Sequence, residues 1–202
     1  MKKISGFTLL ELMAVITVGG ILLALAVPAM TSFVQRSKMT THTNKLVSAL
    51  QVARNEAIKQ SGFACVCSTT DASAAVPICD AGDNWESGWI AFYDTTGDCT
   101  FAPAAPDLDV LLKVAENDGF EKFTVRNDNS SINDFDFVRF NSRGSPQSAN
   151  GAIQQGMFTF CDERGYELDG AGDTVMRAVL LSAAGSVRTT KDATLILPAN
   201  CP

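Results

Sequence analysis

One carboxylate stands at the start of a long uncharged stretch near the beginning of the sequence. Glu11 follows a short segment that starts at Phe7, and no further charged residue occurs from Leu12 through Gln35. A charge at membrane depth costs on the order of 2.5–3.5 kcal/mol even on a lenient insertion scale, so such a residue is by default a functional candidate. The chemistry that Glu11 offers there is pairing with a cation in a low-dielectric environment.

Six cysteines form the second group of reactive side chains, and all of them follow the apolar stretch. They are Cys65, Cys67, Cys79, Cys99, Cys161 and Cys201. An even number predicts up to three disulfides in an oxidising compartment. Cys65 and Cys67 lack the two-residue spacing of a redox pair, and the lone His42 lies in a predicted helix. Structural disulfides are therefore favoured over metal or redox chemistry.

No catalytic arrangement is present in the sequence. There is no histidine beside a nucleophile and no Gly-rich phosphate loop, and the paired acids Asp162 and Glu163 fall in a predicted turn. Asp94, Gly97 and Asp98 contain only fragments of a calcium loop, so a surface hairpin is favoured for them. We expect no enzymatic activity, no cofactor and no metal.

The element that carries Glu11 is predicted to be one long helix from about Thr8 to Ser61. The 24 uncharged residues from Leu12 to Gln35 would span roughly 36 Å as a helix, enough to cross a bilayer core of about 30 Å. A secretory signal peptide has a shorter apolar part of ~7–15 residues. Lys2 and Lys3 precede the span, which predicts a cytoplasmic N-terminus and a domain outside.

The second half of the helix has an amphipathic pattern that predicts packing on a sheet. Its apolar residues recur at spacings of 4, 3 and 4, and they are Leu46, Leu50, Ala53 and Ala57. Beyond Gly62, alternating apolar segments with intervening turns predict strands. These segments are 63–67, 89–93, 110–114, 123–126, 135–140, 157–161, 175–182 and 194–197. The fold class is therefore α+β, with a long N-terminal helix on a mostly antiparallel sheet.

Length and charge limit the functional classes. The chain has 202 residues, which leaves one globular domain after the helix. A formal net charge of −6 and a sequence pI near 4.7 are not those of a nucleic-acid-binding protein.

Several motifs resemble those of a known family. The segment from Gly6 through Met13 is similar to the leader junction of type IV pilins and of type II secretion pseudopilins. Four domain motifs occur in the order typical of the branch that contains the minor pilins FimT and FimU and the minor pseudopilin GspH. They are Gly88-Trp89-Ile90-Ala91-Phe92, Phe140-Asn141-Ser142-Arg143-Gly144, Phe158-Thr159-Phe160-Cys161-Asp162 and Gly185-Ser186-Val187-Arg188. Nearly the whole chain shares this resemblance, which implies the type IV pilin fold.

The resemblance implies how the N-terminal region is processed and used. A prepilin peptidase would cut after Gly6 and methylate the new N-terminal amine of Phe7. Residues 1–6 would then be a leader, residues 7–61 a transmembrane and filament-core helix, and residues 62–202 a β-rich domain outside the inner membrane. Glu11 would have no good partner in its own subunit and would pair with the Phe7 ammonium of a neighbour, which sets the register of assembly.

Disulfide pairing follows in part from the resemblance. Members of the branch tend to tie the C-terminal tail to a core strand, which implies a Cys161–Cys201 disulfide. Cys65 and Cys67 would then pair with Cys79 and Cys99. We favour Cys67–Cys79 and Cys65–Cys99, although four cysteines allow three connectivities and the sequence does not choose among them.

DNA is a weaker candidate partner. FimT-like pilins have been linked to DNA uptake through a Gly-Arg-x-Arg motif, and here Ser186 replaces the first arginine. Arg188, Lys191 and Arg177 remain as candidate contacts, but two or three cations on an acidic domain would bind phosphate weakly.

The resemblance therefore implies a minor type IV pilin that primes pilus assembly with other major and minor pilins and sits at the tip. The alternatives are a GspH-like minor pseudopilin of a type II secretion system and a DNA-binding uptake pilin. The expected location is the inner membrane, with a single span and the C-terminal domain in the periplasm, and then a filament at the cell surface.

Overall fold

A computed structural model describes residues 7–80, 85–116, 124–127, 137–148, 150–170 and 172–196. The chain forms two compact units, residues 1–38 and residues 39–202. One helix, α1 (Leu9–Gln60), contributes to both units. Its bounds agree to one residue at each end with the helix predicted from the sequence.

The first unit contains the apolar half of α1. An 18-residue window of this helix has a mean hydropathy of 2.4 and none of its residues is buried in the chain, so the helix is long and apolar enough to cross a membrane. Large apolar side chains such as Leu10, Ile16 and Leu25 are 66–77% exposed. A helix that exposes apolar residues all around needs an apolar environment outside its own chain.

In the second unit, the predicted apolar stripe of α1 is fully buried. Leu46, Leu50, Ala53 and Ala57 have no exposed surface, and they belong to a core cluster with aromatic residues of the sheets such as Phe140. The stripe therefore packs against the domain as the spacing predicts.

The end of α1 is a Schellman motif. Ser61 takes the left-handed conformation (φ 54°) and donates its N–H to the Ile58 carbonyl at 3.2 Å, and the Gly62 N–H donates to the Ala57 carbonyl at 3.1 Å. A Cβ on Gly62 would lie 2.5 Å from the hydroxyl of Tyr93, so a larger residue here would displace the end of that side chain, and the backbone angle of Gly62 places no demand for glycine.

The domain contains two antiparallel sheets, which confirms the α+β class and divides the predicted strands between two layers. The first sheet has the order β3-β2-β1-β5-β6. Its strands are β1 (Phe63–Ser68), β2 (Gly88–Asp94), β3 (Val110–Glu116), β5 (Phe137–Phe140) and β6 (Pro146–Gln147). The second sheet has the order β4-β7-β8-β9. Its strands are β4 (Thr124–Asn127), β7 (Gly156–Cys161), β8 (Arg177–Leu181) and β9 (Val187–Thr190).

Two local predictions were wrong or incomplete. The strand expected over residues 194–197 is a turn as far as Ile196, because Asp192 accepts hydrogen bonds from the Thr194 N–H (2.8 Å) and hydroxyl (2.7 Å). Leu197 lies outside the described residues, as do Phe123, Phe135 and Asp136. Two strands, β6 and β9, were not predicted, since β6 has only two residues and β9 has one apolar residue in four.

Candidate assembly site

The start of α1 is a capping box formed by Thr8 and Glu11. The Thr8 N–H donates to Glu11 Oε2 at 3.2 Å, and the Thr8 hydroxyl donates to the same oxygen at 3.3 Å. In return, the Glu11 N–H donates to Thr8 Oγ1 at 3.2 Å. Each residue thus satisfies an N–H that the first turn of a helix leaves without an intrahelical partner.

This geometry corrects one expectation about Glu11. Its carboxylate is partnered within its own subunit, by Thr8, although the sequence led us to expect no good partner there. Both hydrogen bonds fall on Oε2, and an ionised carboxylate has about four lone-pair sites in all. Glu11 therefore retains acceptor capacity for a cation while it caps its helix.

Phe7 and the apolar face of the helix complete the site. Phe7, the expected mature N-terminus, is 82% exposed, and Gly6 lies outside the described residues. Leu9, Leu10 and Leu12, which surround the cap, are 57–77% exposed. A charged group at the end of an exposed apolar helix is suited to fix the depth and register of neighbouring helices, because an unmatched charge is costly among apolar surfaces.

The structure contains both disulfides that we favoured from the sequence. Cys65 pairs with Cys99 and Cys67 pairs with Cys79, which ties two loops to strand β1. Cys161 is also disulfide-bonded, and its expected partner Cys201 lies outside the described residues.

Asp94 organises the loop that carries Cys99. Its carboxylate is buried and accepts hydrogen bonds from the N–H groups of Thr96 (3.0 Å), Gly97 (2.7 Å) and Cys99 (2.8 Å). Cys65, Asp94 and Cys99 form the one cluster of metal-ligand residue types found in the described ranges, and the disulfide removes both thiolates. Asp94 is therefore a buried structural residue at the start of a surface turn, in which Thr95, Thr96 and Asp98 are exposed, and this turn lies in the connection between the antiparallel strands β2 and β3.

The helix also contacts both sheets through Arg54, a residue that no sequence motif marked as functional. Arg54 Nε donates to the Gly144 carbonyl and its Nη2 donates to the Ala184 carbonyl, both at 3.0 Å. Gly144 (φ 73°) and Gly185 (φ 77°) close the β5–β6 and β8–β9 turns, and a Cβ on Gly185 would collide with the Gly144 carbonyl oxygen. Gly144 ends one of the motifs quoted above and Gly185 begins another. A Cβ on Gly144 would meet side chains of Ile58 and Arg54, so close approach and a left-handed backbone together favour glycine at both positions.

The three candidate DNA contacts do not form one cluster. Arg188 pairs with Leu180 across β8 and β9, and Arg177 lies three residues before Leu180. Because side chains alternate along a strand, Arg177 and Arg188 lie on opposite faces of the sheet. Burial lowers the pKa of the Arg177 guanidinium, and Lys191 is partly buried, whereas Arg188 is exposed. This arrangement does not favour binding of one phosphate backbone.

Comparison with known proteins supports the resemblance found in the sequence. A family model described as type II transport protein GspH matches residues 42–185, and a model of the prokaryotic N-terminal methylation motif matches residues 1–27. No curated protein sequence matches the chain.

Among solved structures, two crystal forms of the type IV minor pilin FimU from Pseudomonas aeruginosa are similar to this chain. The first has 16% identity and a TM-score of 0.49, and the match covers 84% of this chain and 96% of FimU. The second has 18% identity and a TM-score of 0.45, with 81% and 96% covered. The GspH family model matches more than half of the sequence. The chain therefore belongs to the GspH family of pilin-like subunits.

Proposed function

We propose that this protein is a minor pilin that helps to prime assembly of a type IV pilus and lies at or near its tip. The observation that carries the proposal is the capping box of Thr8 and Glu11 at the start of an exposed apolar helix. The methylation motif over residues 1–27 supports processing before Phe7 by a prepilin peptidase. Before assembly, α1 anchors the subunit in the inner membrane, and during assembly it joins the helices of other pilins.

The proposed register mechanism uses the mature N-terminus. After cleavage, the Phe7 ammonium of one subunit approaches the Glu11 carboxylate of its neighbour. Pairing removes two unmatched charges from an apolar environment, and a displacement along the helix axis would separate them again. The register of neighbouring helices is thereby fixed.

The proposed topology follows from charge and redox chemistry. Lys2 and Lys3 hold the leader in the cytoplasm, and residues 62–202 form the domain on the periplasmic side. An oxidising compartment is where disulfides such as Cys65–Cys99 form and persist.

A second candidate function is that of a minor pseudopilin in a type II secretion system, because the matching family model carries that description. The same helix and cap would serve a short secretion filament, so the N-terminal site does not distinguish the two machines.

Deletion of the gene in the native host, with surface pili and protein secretion measured in the same cultures, tests both functions. Loss of pili with normal secretion supports the minor pilin, and loss of secretion with intact pili supports the pseudopilin. The deleted strain is complemented with the wild-type gene and with a Glu11→Ala variant, and only the wild type is expected to restore the lost function. If neither phenotype changes in the deletion, an assembly role in these machines is contradicted.

A further inference from the structure

The charged residues are unevenly distributed along the domain sequence. Between Lys59 and Lys113 there is no lysine or arginine at all. The same segment contains eight acidic residues: Asp71, Asp80, Asp83, Glu86, Asp94, Asp98, Asp107 and Asp109. The segment therefore contributes negative charge and no cation. Asp94 and Asp109 are buried, and Arg139 of β5 donates to the Gly97 carbonyl, whereas Asp80 is partly exposed and Asp98 is exposed.

A groove of about 240 Å³ is lined by residues of the two loops that the disulfides tie to β1 and by one residue of β5. Its described lining residues are Ile78, Cys79, Asp80, Asp98, Cys99, Thr100, Phe101 and Phe137. Most of this lining is apolar. Cys99 and Phe101 are buried, whereas Ile78 is 63% exposed at the edge of the groove.

The groove is held in shape by contacts of its own residues. The Asp80 N–H donates to the Ser68 carbonyl at 2.9 Å, and Asp98 Oδ1 accepts the Thr100 N–H at 2.7 Å. Phe101 packs against Phe92 with ring centroids 5.1 Å apart. A site that is already ordered loses less conformational entropy when a partner binds.

Size and charge together restrict the occupant. The volume is below the roughly 300–1,000 Å³ of pockets that hold whole small-molecule ligands. It suits one or two side chains. Two carboxylates beside an apolar lining are complementary to a side chain with an aliphatic stem and a cationic end, since lysine and arginine bury their stems and keep the charge at a polar edge.

We propose that this groove binds a lysine or arginine side chain, with a neighbouring aliphatic residue, presented by another subunit of the filament. Asp80 and Asp98 pair with the cationic group, and Ile78 and Phe101 contact its stem and the aliphatic neighbour. That the partner is a filament subunit rests on the proposed function, whereas the chemistry of the groove does not. The deletion experiment above and the binding experiment below can therefore fail independently.

The binding experiment uses the full-length protein in detergent micelles with labelled isoleucine methyl groups. The probe is an acetylated, amidated pentapeptide with a central lysine flanked by leucines, and the control peptide carries glutamine in place of lysine. We expect a saturable shift of the Ile78 methyl signal with the lysine peptide, at least tenfold weaker affinity for the glutamine peptide, and weaker lysine-peptide binding at higher salt.

Matched variants locate the interaction. An Asp80→Asn/Asp98→Asn double variant keeps the side-chain oxygen that accepts the Thr100 N–H, and we expect it to lower the affinity at least tenfold. Asp71→Asn removes an exposed charge of the same segment that does not line the groove, and it should change the affinity less than twofold. Unchanged signals from the other isoleucines would show that the double variant is folded.

Three results would overturn the proposal. They are equal binding of the two peptides, an unaffected affinity in the double variant, and the absence of any shift at Ile78. A shift produced by calcium chloride alone, with none from the lysine peptide, would also overturn it and identify the groove as a metal-ion site.

Discussion

At Glu11, one carboxylate closes the first turn of its own helix and still has acceptor sites left for a neighbour. Thr8 donates twice to Oε2, and the described residues give Oε1 no hydrogen bond. The cap thus orders the helix start before any partner arrives. A subunit whose cap is already formed presents Glu11 in a defined direction, and less ordering remains for the assembly step.

The cap itself can be tested with Thr8→Val, which removes the hydroxyl and keeps a similar shape. Loss of an N-cap side chain costs about 0.5–2 kcal/mol, so amide hydrogens in the first turn should exchange about 2- to 30-fold faster in micelles. Thr17→Val is the matched control, because Thr17 donates its hydroxyl to the Met13 carbonyl and takes no part in the cap. Equal exchange in the two variants would contradict the capping role.

Gly185 is the residue at which substitution should damage the domain most directly. It has a φ of 77°, which costs a residue with a Cβ about 1–2 kcal/mol, and the added Cβ would also meet the Gly144 carbonyl oxygen. We expect Gly185→Ala to lower the free energy of unfolding of the full-length protein by at least that amount, as measured by denaturant unfolding in micelles. Gly151→Ala, with a φ of 83° and no atom within 4 Å of the added Cβ, isolates the backbone contribution. Similar losses in both variants would show that the close approach to Gly144 does not matter.

At the scale of elements, the two loops tied to β1 should contribute unequally to stability. Cys65 and Cys99 are 34 residues apart, and Cys67 and Cys79 are 12 apart. If disulfides act by lowering the entropy of the unfolded chain, the Cys65–Cys99 bond stabilises the domain by about 0.9 kcal/mol more than the Cys67–Cys79 bond, because it closes the longer loop. We therefore expect the Cys65→Ser/Cys99→Ser protein to unfold at lower denaturant than the Cys67→Ser/Cys79→Ser protein. The reverse order would indicate that contacts of the shorter loop outweigh chain entropy.

The sequence predicted elements well where apolar periodicity was strong. The spacing of Leu46, Leu50, Ala53 and Ala57 was enough to assign the buried face of α1, and alternation was enough for β1 and β2. Apolar alternation did not predict β9. Half of this edge strand is exposed and most of its residues are polar, so its sequence shows no alternation of apolar and polar residues. The pattern also failed at residues 194–196, where local hydrogen bonds to Asp192 form a turn in spite of strand-like composition.

The candidate site was predictable in part for a physical reason. A lone carboxylate in an apolar stretch can be recognised from the sequence, because an unpaired charge among apolar residues costs free energy. Thr8, which caps the helix together with Glu11, has no such signal, because a threonine is recognised as a capping residue only once the start of the helix is known. Likewise, no sequence pattern indicates that Arg54 reaches two turns, Gly144 and Ala184, which are 90 and 130 residues further along the chain. Such contacts depend on the topology of both sheets.

At the scale of the whole molecule, the two units have opposite requirements. The first exposes apolar side chains and needs a membrane or neighbouring helices, and the second has its own core and a net acidic surface. This division is what a filament subunit requires, because one part must exchange lipid for protein contacts while the other stays folded. The GspH family assignment is consistent with it.

The central claim is that Glu11 directs contacts between subunits, and photo-cross-linking in the native host tests it most directly. A photoreactive amino acid replaces Val15, which is 63% exposed on α1, in the otherwise wild-type chain and in the Glu11→Ala variant. We predict adducts with other pilin subunits that fall about tenfold in Glu11→Ala, equivalent to about 1.4 kcal/mol, and that persist in Glu56→Ala, the control carboxylate on the same helix. Adducts of undiminished yield in Glu11→Ala would contradict the account.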